Sequence, residues 1–253
     1  MAIFQVELSL PKILYHGTSF PAIKGIREKP INSAFWKKDK DFGAGFYTTI
    51  DLFQSTRWAR KPIDTAVKAY LLELEEKGFA EYELDFKQEQ LPAVAVLECN
   101  SAAYTDIVNV VDFRGECREW AHFILRHRDS SDVHSCSCER HADIVCGIMA
   151  DNDTGEIIKE FKNSNRQLDN EEDLNWFWKR IVQTKHGKVL NGLELGDQIA
   201  FFDERLNSML QLKGYYLYRP EAYLDEVTPT NYRQEWQLYD AEGNHVSEHE
   251  SGL

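Results

Sequence analysis

No stretch of this sequence is long and apolar enough to cross a bilayer. The longest apolar run, Ala142 to Ala150, contains Asp143 and falls far short of the ~20 residues a spanning helix needs. The N-terminus has no basic region followed by an apolar stretch, so no signal peptide is expected. Cysteines number five, and without an export signal they read as reduced cytosolic thiols rather than a disulfide framework. Positive charge is scarce, with 29 Lys/Arg against 42 Asp/Glu and a net charge of −13. So acidic a chain is a poor candidate for broad, non-specific phosphate binding. Internal repeats are lacking. The glycine stretch at 41–46 has neither the third glycine nor the following helix of a dinucleotide fingerprint, which excludes a Rossmann reading there.

What is present is an ordinary globular mixture. The 253 residues are 43% apolar and 28% charged, which excludes wholesale disorder, collagen and coiled coil. That length suits one large domain or two small ones, with enough apolar residues for a real core. Charge is uneven: residues 1–62 hold ten Lys/Arg and five Asp/Glu, a balance of +5, and the remainder holds 19 and 37, a balance of −18. The acidic part keeps the chain soluble, and the basic quarter suits an anionic ligand.

Residues 2–10 alternate apolar and polar, and Lys12 to His16 reads as a short strand stopped by Gly17. A glycine loop, Asp41-Phe42-Gly43-Ala44-Gly45, precedes a strand at Phe46–Thr49. Asp51 caps a helix running towards Arg60, and a second helix runs from Ile63, with Ala66, Val67, Tyr70, Leu71 and Leu74 at helical spacing, to Gly78. Strands are expected at Pro92–Cys99, Ile107–Phe113, His141–Met149, Gln198–Phe202 and Tyr215–Tyr218, and helices at Glu116–Arg128 and Glu171–Gln183. Glu160 to Asp173 reads as a polar loop, and residues from Asp240 as a polar, mobile tail. Without a regular strand–helix–strand rhythm, the fold class is α+β.

Two segments stand out: Leu14-Tyr15-His16-Gly17-Thr18-Ser19, and Asp41-Phe42-Gly43-Ala44-Gly45-Phe46-Tyr47. Singly, the first reads as a strand end with a buried histidine and the second as a tight turn. Together, in this order and about thirty residues apart, they resemble the NAD-binding halves of ADP-ribosyltransferases of the His-Tyr-Glu type, the group of diphtheria-like toxins and poly(ADP-ribose) polymerases. The resemblance is to a bacterial branch with Tyr-His-Gly-Ser/Thr and Asp-Phe-Gly-x-Gly-Phe-Tyr, found as toxin components of toxin–antitoxin and phage-defence systems. That branch carries glutamine where others have the catalytic glutamate, matched here by Gln198 in Asp197-Gln198-Ile199-Ala200-Phe201, and an acidic turn matched loosely by Ala150 to Asp153.

The resemblance, over roughly residues 12–218, implies a single domain at 1–239 with two small, mostly antiparallel sheets forming an NAD cleft, flanking helices, and helical insertions near 62–92 and 160–190. It implies NAD as substrate and no metal. His16, Tyr47 and Gln198 are the expected catalytic residues, and Tyr15, His16, Gly17, Thr18, Gly45, Tyr47, Ser55 and Trp58 the expected NAD contacts. His16 would orient the ribose, the Gly17 backbone would approach the carboxamide, Tyr47 would supply a flat face for the nicotinamide, and Ser55 and Trp58, one helical turn apart, would lie near the carboxamide and form a second aromatic wall. A glutamine at 198 keeps a hydrogen bond to the ribose 2″-hydroxyl and loses charge, so another carboxylate, Glu116 or Glu119, is a candidate to compensate.

Transfer of a single ADP-ribose to RNA or protein is the expected reaction, in a cytoplasmic effector restrained by a small antitoxin and not bound to membrane. NAD glycohydrolysis and a catalytically inactive NAD-binding module are the alternatives. His134, Cys136, Cys138 and His141 suit zinc by chemistry, but Cys136-x-Cys138 is cramped for tetrahedral closure, and a solvated loop is the expectation. The aromatic cluster Trp176–Trp178 reads as helix packing rather than base stacking.

Overall fold

A computed structural model describes residues 10–77, 91–103, 108–113, 115–128, 141–150, 153–183, 196–218 and 236–247, without side chains at 65–77. The chain divides into two compact units, one of Met1–Pro30, Ile50–Tyr104 and Asn207–Leu253, the other of Ile31–Thr49 and Thr105–Leu206. Each carries one four-stranded sheet with helices, so the class is α+β.

The first unit contains β1 (Ile13–Ser19), α1 (Ala22–Glu28), α2 (Leu52–Lys77), β3 (Pro92–Cys99), β7 (Leu210–Tyr218) and β8 (Trp236–Asp240); the four strands missing from this numbering belong to the second. The β3 sequence Pro-Ala-Val-Ala-Val-Leu is apolar throughout and buried, which suits an interior strand. It pairs antiparallel with β1 on one side and β7 on the other, in the order β1-β3-β7-β8. The β7 strand is longer than expected and starts at Leu210, with an irregularity opposite Val96 and Leu97. Asp240 closes β8 instead of opening a tail: the chain turns at Gly243, and the Val246 N–H returns to the Leu238 carbonyl at 2.8 Å.

Asp51 starts α2 as expected, accepting the Phe53 N–H at 2.8 Å. The expected break between two helices is absent, and α2 runs unbroken through Pro62. Proline cannot donate to the carbonyl four residues back, that of Trp58, and both residues lie on the exposed side of the helix. Gly17 does not stop β1 but pairs with Val94 in mid-strand. A Cβ there would lie 2.4 Å from the Ser55 carbonyl oxygen and 3.0 Å from the Ala59 nitrogen. Glycine is therefore what lets α2 press directly on the strand.

The second unit contains β2 (Phe46–Thr48), β4 (Val110–Asp112), α3 (Arg118–His127), β5 (Ile144–Ile148), α4 (Thr154–Asn163), α5 (Glu171–Ile181) and β6 (Asp197–Phe201). Its sheet has the order β2-β6-β5-β4 and is antiparallel except for β4 and β5, whose parallel pairing follows from α3 crossing between them. Trp120, Ala121, Ile124 and Leu125 on α3 recur at helical spacing and are buried with Val145 and Ala200 of the sheet. Against them pack Ile157, Ile158 and Phe161 of α4 and Leu174, Phe177 and Ile181 of α5. The expected polar loop from Glu160 is thus the end of α4, whose apolar side is masked in sequence by Lys159, Glu160 and Lys162. Asn170 caps α5, which has acidic residues in its first turn and basic ones in its last. Trp178 of α5 donates to the Glu116 carbonyl at 2.9 Å, in keeping with a packing role. No helix among the described residues is long and apolar enough to cross a membrane.

Gly17→Ala is expected to lower stability by about 1–3 kcal/mol, because backbone rather than a flexible side chain occupies the Cβ position; denaturant unfolding of both proteins measures it. Burial against Phe123, with smaller contributions from His141 and Arg126, holds His127 well below its usual value, at about 4. Between pH 6.5 and 4 the unfolded chain then binds a proton the folded chain refuses, so stability falls as pH falls through that window. His127→Phe is expected to flatten this part of the profile of unfolding midpoint against pH.

Candidate functional site

Of the residues singled out in sequence, Tyr15, His16, Gly17, Thr18, Ser55 and Trp58 belong to the first unit, and Gly45, Tyr47 and Gln198 to the second. Among the described strands of the first unit, β1 lies at the edge of the sheet. The Cys99 N–H bonds the Lys12 carbonyl at 2.7 Å and the Phe20 N–H bonds the Leu91 carbonyl at 2.9 Å. With the antiparallel register between them, these bonds direct the even-numbered residues of β1 towards β3. The backbone N–H and C=O of Tyr15, Gly17 and Ser19 consequently point away from β3.

Side chains alternate in the same way. Tyr15 packs with Val94 and Ala59 on the α2 side, whereas His16 and Thr18 share the opposite face with their partners Ala95 and Ala93. Ser55 is buried, its hydroxyl donating to the Leu52 carbonyl at 2.7 Å. Trp58, one turn on, is 40% exposed, with the Lys61 ammonium 4.6 Å from its ring centre.

In the second unit the loop before β2 is closed by its own tyrosine. The Tyr47 hydroxyl donates to the Gly43 carbonyl at 2.7 Å and accepts the Phe42 N–H at 2.9 Å. Gly43 makes the turn possible with a φ of +98°. Gly45 lies against the Phe202 ring, 2.6 Å from where a Cβ would be. Burial, and then the Asp41 charge, push the Tyr47 phenol well above its ordinary value, so it stays protonated and keeps donating. Its ring is stacked on Phe42 and meets Phe202 edge-on. With the hydroxyl turned into the loop, the half-buried ring is what Tyr47 offers outward.

Tyr47 pairs with Ala200, two residues beyond Gln198 on β6, so Tyr47 and Gln198 project from the same face of the sheet. Gln198 is buried. Its amide nitrogen donates to Asp41 Oδ2 at 3.0 Å and to the Ile148 carbonyl at 3.3 Å. Asp41 also accepts the Ala150 N–H on Oδ2 at 2.9 Å and an Arg128 guanidinium N–H on Oδ1 at 2.7 Å. The carboxylate touching Gln198 is therefore Asp41, and not Glu116 or Glu119; Glu119 is exposed on the first turn of α3. Asp41 stands in the glycine motif itself, but nothing in the sequence points to its partners Arg128 and Ala150, 87 and 109 residues away.

Asp153 sits at the cap position of α4 without a side-chain cap bond, and Asp151 lies outside the described residues. So do His134, Cys136 and Cys138; His141 bonds the Ala142 carbonyl through Nδ1 at 2.7 Å and packs against His127 and Phe202. Among the described residues no group of three or more His, Cys, Asp or Glu is placed to hold a metal. Burial pushes the Cys99 thiol up to about 11, and burial with the Asp112 and Asp197 charges pushes the Cys146 thiol up to about 12, so both favour the protonated form.

The family model described as a protein of unknown function, DUF3990, matches residues 12–211. The chain belongs to the DUF3990 family. The DUF3990 match takes in both motifs, the Asp41 cluster and Gln198, and it ends before β8. No curated protein and no solved structure matches the chain.

Tyr47→Phe removes both loop bonds and keeps the ring. It is expected to lower stability by about 1–3 kcal/mol, since the Phe42 N–H and the Gly43 carbonyl lose their partner; thermal unfolding checks this.

Proposed function

We propose that the protein is an NAD-dependent mono-ADP-ribosyltransferase with the ADP-ribosyltransferase-like fold. The observation that carries the reading is Gly17, a glycine on the strand at the edge of the described sheet, whose N–H and C=O both point away from β3 beside His16. A primary carboxamide, such as that of nicotinamide, carries one acceptor and one donor group and complements such a backbone pair.

The other residues have matching tasks. His16 hydrogen-bonds a ribose hydroxyl. The Tyr47 ring, its hydroxyl held in the loop, gives the pyridinium a flat apolar face. Gln198 accepts a hydrogen bond from the ribose. In the reaction the bond between ribose C1″ and the nicotinamide nitrogen breaks, and its electron pair leaves with nicotinamide. The acceptor's lone pair then forms the new bond to C1″, and the acceptor's proton passes to solvent. The protein lowers the barrier by holding the sugar and the leaving group as positive charge develops at C1″. A cytoplasmic effector role, an antitoxin partner and an RNA or protein acceptor follow from the motif resemblance.

Labelled NAD incubated with the protein and cell extract is expected to release nicotinamide and to label a macromolecule. Protease or ribonuclease sensitivity of the label identifies the acceptor class. His16→Ala is expected to reduce nicotinamide release by roughly 10²-fold or more. Free ADP-ribose with no labelled macromolecule identifies a glycohydrolase instead. NAD binding without nicotinamide release identifies an inactive module, and the transferase reading is then abandoned.

A further inference from the structure

We propose that Asp41 is a positioning residue that fixes the Gln198 amide with its carbonyl oxygen as the presented group, and that this arrangement excludes a glutamate at 198. Only what that oxygen accepts from, a sugar hydroxyl, rests on the transferase reading.

An amide side chain has two nearly isosteric ends, one donating and one accepting. Its orientation is decided by its neighbours. The inner end of Gln198 meets Asp41 Oδ2 at 3.0 Å and the Ile148 carbonyl at 3.3 Å. Both neighbours only accept. The carboxylate is paired through its other oxygen with the Arg128 guanidinium at 2.7 Å, and the Ile148 oxygen already receives the Trp120 indole N–H at 3.0 Å. Turning the amide over would set its oxygen against two acceptors, so Nε2 stays inward and Oε1 outward. No donor among the described residues reaches Oε1. The site thus presents an acceptor, as a carboxylate would.

A glutamate at 198 has no donor for the inner position. Ionised, it would face the Asp41 carboxylate at hydrogen-bond distance, and two such charges do not both persist. Protonated, it would donate as the amide does. Glutamine at 198 is in this sense a requirement set by Asp41. The distinct part played by Asp41 is polar orientation, beyond its ion pair with Arg128.

Three variants decide it: Gln198→Glu, Asp41→Asn, and the two combined. Gln198→Glu is expected to lower the unfolding midpoint at pH 8 and to recover it towards pH 5, as the new carboxyl takes up a proton. In the double variant the amide introduced at position 41 donates to the carboxylate introduced at position 198, so stability at pH 8 is expected to exceed the sum of the single effects. In the native protein the Gln198 side-chain amide protons should exchange slowly in ¹⁵N-resolved spectra, and Asp41→Asn should abolish that protection. Nicotinamide release should fall by about 10²-fold in Gln198→Glu through kcat, and return in part in the double variant.

A Gln198→Glu protein as stable as the native one at pH 8, or strictly additive single effects, overturns the positioning role whatever the activity. A native protein that neither binds NAD nor releases nicotinamide overturns the transferase reading. In that case the stability cycle and the amide exchange still decide whether Asp41 orients Gln198.

Discussion

One carboxylate, that of Asp41, holds together four separate pieces of the second unit. It joins the start of the glycine loop to the residue that ends α3, the residue just past β5, and the first buried residue of β6. Its side chain is largely buried, as is that of Arg128. Burying two charges costs several kcal/mol per ion and is offset only where geometry is good and the remaining lone pairs are filled. Here both oxygens are used: one takes the guanidinium, the other a backbone N–H and an amide. The backbone N–H matters as much as the ion pair, because Ala150 lies just past the end of a strand and has no ladder partner there. Arg128, at the end of α3, also lies where a positive charge complements the helix dipole.

Fixing Asp41 fixes the loop that follows. The next two residues, Phe42 and Gly43, give their N–H and carbonyl to the Tyr47 hydroxyl, so the seven-residue motif closes on itself. Phe42, fully buried, stacks under the tyrosine ring and anchors that closed loop in the helical core. The ring's angle follows from this closure and not from any ligand. A flat group meeting Tyr47 would find the surface already oriented, which is the condition under which an aromatic contact favours binding with little ordering cost.

Much of this is legible in the sequence and some is not, for identifiable reasons. The β3 strand is read at its true limits because an unbroken apolar, β-branched run has few other fates. Tyr47 and Gln198 stand out as unusual residue types in otherwise regular segments. Gly17 reads as a stop because glycine ends strands as readily as it admits a close neighbour, and the neighbour, Ser55, is 38 residues away. Pro62 reads as a helix break because proline's penalty depends on which side of the helix it falls, and local sequence does not reveal that Pro62 lies on the exposed side. The short α1 and the strand β8 leave little trace, since each depends on tertiary packing more than on local pattern. Asp41 belongs to a visible motif, yet its role rests on partners 87 to 157 residues distant, which no local period encodes.

The same cluster bears on how far a glutamine can stand in for a carboxylate as an acceptor. Replacing glutamate by glutamine removes a full charge, and taken alone that weakens an acceptor by roughly half. The Gln198 amide is not alone. Its N–H groups are drawn into a charge-assisted bond with Asp41 and a second bond with Ile148. Donation at nitrogen pushes electron density along the conjugated amide to oxygen, and hydrogen bonds arranged in series strengthen one another by about 10–30% each. The outward Oε1 is therefore a better acceptor than that of a free amide, with its orientation already set. The negative end of a fixed dipole, rather than a net charge, is then what Gln198 presents. Such a dipole has no proton of its own to gain or lose near neutral pH, and its strength follows from the Asp41 carboxylate that the Arg128 guanidinium holds in place.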